Sequence, residues 1–447
     1  MAGSDGLSRR RFLGQTVGMG AAVPYIVSSR ALAGPGRVGA NDRIQIGFIG
    51  TGSQANWHLG ELLKQPDVVV AAVCDVWKER RDKALAKCNG TARPFHDYRE
   101  LLQQEDIDAV VIATPPHWHA LQAIHACQAG KDFYLEKPMT LSVAETLAVL
   151  RAVRKHNRIT QIGTQIHAWP NYRRVVDLVR SGNLGQISVV RTFNVMNQGP
   201  EGIGNPPGGE PPAGLDWDFW CGPAPLGPFH PLIVESAYTH GSFMAYSGGW
   251  TPGMAPHIID LPYWALELGH PTRVSSSGGR YTIRDAGDAY DTHEVLWQYP
   301  NFTMTWMTSL VSSYGWDFQG EPGMKRRLGI YFHGVNGLLA TDYSTHKIIP
   351  EGDRMKDAPA VPKVTPDSPG HHREWLDCLR TRRQPSCHVG YHYKIDVAIN
   401  LAMLSLRLGR SVCFDPETET VPDDREAAGL LKPTYRDPWK LPAEYIG

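Results

Sequence analysis

The chain has 447 residues, and its 45 Lys plus Arg balance 45 Asp plus Glu to a formal net charge of zero. That balance excludes the basic excess of a nucleic-acid binder and gives an anionic membrane surface no handle. With 42% hydrophobic and 20% charged residues the chain can bury a core, its length suggests two to three domains, and seven scattered cysteines without a C-x-x-C pair frame neither a disulfide scaffold nor a zinc site.

The first segment reads as an address. Ser8-Arg9-Arg10-Arg11-Phe12-Leu13 precedes a short Gly/Ala-rich apolar run to about Val27, and Ala31-Leu32-Ala33 follows with Gly34 behind it. Charged start, apolar middle and small-residue cleavage site predict a signal over 1–33, and the paired arginines resemble the twin-arginine export type. The partner this implies is the twin-arginine machinery, and the destination the periplasm. The apolar run is short and broken by glycines and Pro24, so no membrane segment is expected after cleavage. In an oxidising compartment Cys74 and Cys127 are expected as buried thiols, while pairing of Cys378 with Cys387 stays open.

A polar linker, 34–43, leads into alternating strands and helices. Strands are expected at 44–50, 68–75, 109–113, 132–135 and 160–163, with helices from the first glycine turn to about Leu63 and at 78–87, 117–129 and 143–155. Runs of β-branched residues separated by short links predict a parallel sheet wrapped by helices. The rhythm changes after residue 164. A helix over 171–181 and a strand over 187–195 precede a Gly/Pro-dominated loop at 198–214. β-type runs follow at 272–283, 291–299, 302–310 and 328–341, then helices at 371–382 and 391–409. The fold class is α/β: a Rossmann domain over 44–164 and an α/β domain over 165–447 with a largely antiparallel open sheet.

Gly50-Thr51-Gly52-Ser53-Gln54-Ala55 fits G-x-G-x-x-A between a strand and a helix, and Asp75 ends the second strand. Gly50 permits the tight turn, Gly52 lets the backbone approach a pyrophosphate, and Ala55 allows close helix packing. The helix N-terminus offers unpaired N–H groups to phosphates. Asp75 can accept from both ribose hydroxyls and repels a 2′-phosphate, which favours NAD. Lys78, Arg80 and Arg81 nearby keep NADP open.

Thr114-Pro115-Pro116-His117-Trp118-His119 and Glu136-Lys137-Pro138 each follow a strand, on the rim where open α/β sheets bind ligands. With this ordered set the sequence resembles the glucose–fructose oxidoreductase/inositol dehydrogenase (Gfo/Idh/MocA) family over nearly the whole mature chain. The resemblance implies an oxidoreductase acting on CH–OH groups, with a Rossmann domain and a second domain whose open sheet often forms an oligomer interface, so a homo-oligomer is expected. It gives Lys137 an active-site role and places Thr114, Pro115, His119 and Glu136 along the nicotinamide half of the cofactor site. His117 and Trp118 are read as packing residues. A second family element, G-G-x-x-x-D-x-G-x-H, matches from Gly248 to His257, which makes His257 the candidate acid/base; the aspartate position is Gly253, a departure. Histidine suits proton transfer because its pKa lies near neutrality. Asp260 is a nearby candidate to orient His257, although Pro262 is expected to begin or bend the following helix.

The expectation is therefore an exported enzyme passing hydride between a carbohydrate hydroxyl carbon and a tightly held NAD. Two alternatives stand beside it: an NAD-dependent, redox-assisted glycosidase, and a non-catalytic sugar-binding protein of the same fold. Trp217 and Trp220 are candidates to stack on a sugar ring or to pack. His167, Trp169, His230, His240, Tyr246 and 288–293 are further pocket candidates, and the stretch from His371-His372-Arg373 onward is read as structural. No metal-ligand spacing stands out, and no metal is assigned.

Overall fold

The computed structural model describes residues 42–315 and 327–446. The predicted signal segment lies outside them. Among the described residues no helix is long and apolar enough to cross a membrane.

The first half follows the expected alternation. Strands β1 (Ile44–Ile49), β2 (Val68–Cys74), β3 (Arg93–Phe95), β4 (Ala109–Ile112), β5 (Asp132–Leu135) and β6 (Thr160–Ile162) form one sheet in the order β3-β2-β1-β4-β5-β6. All its pairings are parallel. Helices α1 (Ser53–Leu62), α2 (Lys78–Lys87), α3 (Tyr98–Leu102), α4 (His119–Gln128) and α5 (Val143–His156) connect them. β4 and β5 are buried at every position, as strands covered on both faces must be. The order in which the chain adds strands reverses between β1 and β4, and the rim beyond that point is where such sheets bind ligands. Sequence reading missed β3 and α3, which are only three and five residues long.

The second half carries α6 (Pro170–Arg180), β7 (Ile187–Val195) and then four short helices, α7 (Trp217–Cys221), α8 (Pro231–Glu235), α9 (Ala237–His240) and α10 (Met244–Ser247). The long helix α11 (Trp250–Leu266) runs through both Pro256 and Pro262, so Pro262 neither begins nor ends a helix here. Strands β8 (Arg273–Gly279), β9 (Thr292–Gln298), β10 (Thr303–Ser309), β11 (Leu328–Gly334), β12 (Gly337–Thr341) and β13 (His346–Pro350) follow. The stretch expected as a single run over 328–341 is a hairpin, turned at 335–336. With β14 (Val412–Cys413) these form an eight-stranded sheet, β13-β12-β11-β7-β10-β9-β8-β14, antiparallel except where β7 meets β10. β9 alternates buried and exposed residues along its length, the pattern of a sheet with one covered face.

Two helices stitch the halves together. α12 (His371–Thr381) sends Trp375 and Leu376 into the core that holds Ile46, Phe48 and Val73 of the parallel sheet. α13 (Val389–Leu408) is buried along most of its length and packs on α5, α11 and β8. Just before it, the carbonyl of Cys387 accepts the Ile162 N–H at 2.8 Å, so the loop extends the edge of β6. Residues well beyond 164 thus complete the packing of the first sheet. Cys378 and Cys387 do not pair: all seven cysteines are free thiols, with Cys74 and Cys127 buried as expected.

Candidate functional site

A cavity of about 730 Å³ opens along the carboxyl rim of the parallel sheet. Gly52, Ser53, Gln54, Thr114, Pro115, Glu136 and Lys137 line it on one side, and α8 to α11 on the other. Gly52 caps α1 without any side-chain hydrogen bond, so the first-turn N–H groups are unspent. Gly50 has φ +85°, and a Cβ there would lie 2.8 Å from the carbonyl oxygen of Ala113. Only glycine fits that close crossing. Ala55 is buried against the sheet. A dinucleotide pyrophosphate fits this cradle, because backbone donors face it and the Arg80 guanidinium, 3.5 Å from where a Cβ on Gly52 would sit, adds a positive charge beside it.

Asp75 sits at the end of β2, in a smaller recess that also touches Gly50 and Gly52. Its Oδ2 accepts from Thr51 N at 2.8 Å and Thr51 Oγ1 at 2.9 Å, and its Oδ1 from Trp77 N at 2.8 Å. The carboxylate is thereby fixed beside the glycine turn. The three basic residues that kept NADP open are each engaged. Lys78 pairs with Asp82, Arg81 donates to the Asp75 carbonyl at 2.9 Å, and Arg80 lies over the Trp77 ring while donating to the Val234 carbonyl.

Glu136 is the most heavily bonded group at the rim. Its Oε1 accepts from His58 Nε2 at 2.7 Å and from Gln54 Nε2 at 3.4 Å, and its Oε2 from the Lys137 N–H at 3.1 Å. A carboxylate only accepts, so His58 carries its proton on Nε2; its Nδ1 then takes the Nε2–H of His372 at 2.8 Å. Burial alone raises a carboxyl, but the His58 hydrogen bond and the charges around it hold Glu136 down to about 2. His58 and His372 carried no local signal in the sequence. The 371–373 stretch, read as structural, reaches the site through this chain.

Lys137 Nζ donates to the backbone carbonyl of Gly253 at 3.1 Å. Burial lowers its pKa, and Glu136 opposes that shift. Gly253 lines the cavity, and a Cβ there would meet nothing within 4 Å, so the expected aspartate position is open space. His257 lies one turn further along α11 and does not itself line the cavity. It is half-buried, and its ring bonds to none of the described residues. Burial and then the charge of Lys137 lower its pKa to about 3, so it stands neutral, as a weaker base than a free imidazole. Asp260 does not orient it: the Asp260 carboxylate accepts from His167 Nε2 at 3.0 Å and from the Tyr391 hydroxyl.

Other candidates divide between the packing around the rim and the cavity wall. The His119 ring lies between the carbonyls of Pro138 and Thr114, at 2.7 and 2.8 Å, and joins the two rim loops. Thr114 Oγ1 donates to Gln122 at 2.6 Å. His117 lies buried between the carbonyls of Tyr246 and Trp220. Trp217 stacks on Trp220 at 4.8 Å, donates to the Gly227 carbonyl and does not line the cavity; Trp220 reaches the cavity wall. Sequence reading missed Tyr238 and Trp250, whose rings meet edge-on at 5.5 Å on the cavity's far side. Of the other pocket candidates, only His240 reaches the wall.

Fold and rim together define a two-domain NAD-binding oxidoreductase architecture. Two models of one family cover more than half of the sequence: "Oxidoreductase family, NAD-binding Rossmann fold" matches residues 44–164, and "Oxidoreductase family, C-terminal alpha/beta domain" matches 323–441. The chain belongs to the Gfo/Idh/MocA oxidoreductase family. It is 32% identical to the uncharacterized oxidoreductase YrbE of Bacillus subtilis over 143 residues, which is 32% of this chain and 42% of that protein. It is 28% identical to a glycosyl hydrolase family 109 protein of Shewanella pealeana over 203 residues, 40% of this chain and 44% of that protein. The chain thus spans under half the length of these curated relatives. Levoglucosan dehydrogenase, solved with NADH and levoglucosan, shares the fold with a TM-score of 0.57 at 16% identity, covering 83% of this chain and 99% of that one.

Proposed function

We propose that this protein oxidises or reduces a hydroxyl carbon of a sugar, polyol or glycoside, with Lys137 and His257 handling the proton. The observation that carries this reading is Lys137 Nζ, held at the cavity wall by one carbonyl and with no carboxylate bonded to it. An ammonium has three donors. One is spent on Gly253, which leaves two for a substrate hydroxyl. When bound, NAD supplies the hydride acceptor or donor. Glu136, clamped by His58, fixes the backbone of Lys137 and places its charge. Neutral His257 takes the proton through a water or after a small rotation, since it stands behind the wall. Tyr238 and Trp250 line the same cavity as Lys137 and offer it apolar ring surface, suited to the C–H face of a sugar. The sugar-directed relatives support the same class.

The test begins with protein purified without added cofactor, denatured, and searched for released nucleotide by mass spectrometry. A panel of sugars is then followed by NADH absorbance. Protein that carries no dinucleotide and binds neither NAD(H) nor NADP(H) refutes the proposal and leaves the sugar-binding reading. The family 109 relatives and the open space at Gly253 favour a second reading, a redox-assisted glycosidase. Release of nitrophenol from nitrophenyl glycosides without net change in NADH separates it from a dehydrogenase.

The Ser8–Leu13 pattern supports export to the periplasm. Replacing Arg9 and Arg10 by Lys should strand the protein in the cytoplasm; unchanged fractionation refutes the route. The exposed face of the eight-stranded sheet, with Leu296 43% exposed, supports a homo-oligomer, which light scattering reads directly.

A further inference from the structure

Behind α11, away from the cavity, three side chains from distant parts of the chain converge. His167 follows β6, Asp260 lies one turn beyond His257, and Cys387 immediately precedes α13. All three are buried, at 1%, 0% and 0% exposure. A ring nitrogen of His167, a carboxylate oxygen of Asp260 and Cys387 Sγ lie within 4.8 Å of one another. His167 stacks on Trp264 at 4.1 Å, which fixes its ring plane, and Cys387 Sγ touches Thr164 Oγ1 at 2.8 Å.

This cluster is not satisfied by its own hydrogen bonds. His167 Nδ1 and Asp260 Oδ2 are both buried without a partner. Buried polar atoms almost always find one, and leaving one unmade costs about 1–3 kcal/mol, more for an ionised group. Here two such atoms belong to the same three-residue cluster. The His167–Asp260 bond and the Tyr391 hydroxyl occupy only part of the available lone pairs. A cation would use what remains.

We propose that His167, Asp260 and Cys387 hold a structural zinc ion. Imidazole nitrogen, carboxylate oxygen and thiolate sulfur together form the mixed donor set that zinc accepts; magnesium and calcium reject the sulfur. Zinc distances of about 2.0–2.3 Å place tetrahedral donors roughly 3.5 Å apart, so closing the present cluster needs only side-chain rotation. The fourth donor is the Tyr391 oxygen or a water. On binding, the Cys387 thiol gives its proton to solvent and nothing is oxidised or reduced. None of the three residues lines the cavity, so the ion is a staple joining β6, α11 and the start of α13. The ligands stand 93 and 127 residues apart in sequence, which is why no spacing motif announces them.

The full chain, purified without chelator from zinc-supplemented cells, should carry about one zinc per molecule by elemental analysis. Cys387→Ser and Asp260→Asn should each lower that content roughly tenfold or more, while the exposed control His346→Gln leaves it unchanged. Protein made in cobalt medium should show a thiolate-to-cobalt charge-transfer band, absent in Cys387→Ser. Wild-type zinc no higher than in the two ligand variants overturns the proposal. So does a cobalt protein without a thiolate band, a readout that needs no variant to fold.

Discussion

A single methyl group at Gly163 should disable the rim. A Cβ built there would lie 2.5 Å from Glu136 Oε1 and 2.7 Å from its Cδ. The Gly163 backbone is not in the left-handed region, so Gly163→Ala adds the contact without adding strain of its own. Ordinary contact distances require the carboxylate to retreat by most of an ångström, but Oε1 is bonded to His58 at 2.7 Å. Overpacking of this kind costs about 1–3 kcal/mol. If the carboxylate leaves His58 altogether, the loss approaches the roughly 3–5 kcal/mol of a broken buried pair. Urea denaturation of Gly163→Ala should therefore show a loss between about 1 and 5 kcal/mol, with weakened turnover because the Lys137 N–H loses its anchor. The decisive measurement is a double-mutant cycle with Glu136→Ala, in which the methyl has nothing left to strike. The reasoning is refuted if Gly163→Ala is as stable and active as the parent. It is equally refuted if its cost is the same with Glu136 already truncated.

Lys137→Met should lower turnover by roughly 10²–10⁴-fold while dinucleotide binding, measured by calorimetry, persists; an active variant removes Lys137 from the chemistry. Gly50→Ala forces a φ of +85° on alanine and drives its Cβ into the Ala113 carbonyl, so NAD affinity should fall at least about tenfold with roughly 1–3 kcal/mol of stability. Acid should weaken the fold well above the carboxylate range. Burial lowers His117 and His257 to about 3, and His240, His293, His372 and His388 to about 4. Between about pH 6.5 and 4 the unfolded chain takes protons that these folded histidines refuse, so stability falls as pH falls, by up to about 1.4 kcal/mol per pH unit for each. His392, which burial alone would lower but Asp396 raises, opposes the trend. A urea midpoint constant from pH 7 to 4 refutes this.

The first sheet was legible because strands buried on both faces are written as unbroken apolar runs, and Gly50 and Gly52 mark the only turn they permit. α11 was only half legible. Pro262 reads as a break, yet a proline's φ is itself helical, and burial of the surrounding Ile258, Ile259 and Leu261 holds the helix through it. The segment over 217–247 folds into four short helices whose order comes from aromatic packing among Trp217, Trp220, Phe229 and Tyr246, which periodicity does not reveal. The site divides the same way. Lys137, Glu136 and Gly50 follow strands and announce themselves locally. His372 meets His58 across 314 residues, and no local pattern encodes such a contact. Asp260, which proximity in sequence offers to His257, is taken by His167 from another part of the fold.

The placement of Trp375 and Leu376 under β1 and β2 has a consequence for how the chain is made. The six parallel strands are complete in sequence at Ile162, but the helix that closes one side of their core begins only at His371. At about 5–20 residues per second, a ribosome needs roughly 10–40 s to bridge that interval. Through that time the nascent cofactor domain waits with an apolar flank uncovered, and a chain ending before α12 keeps that flank open permanently.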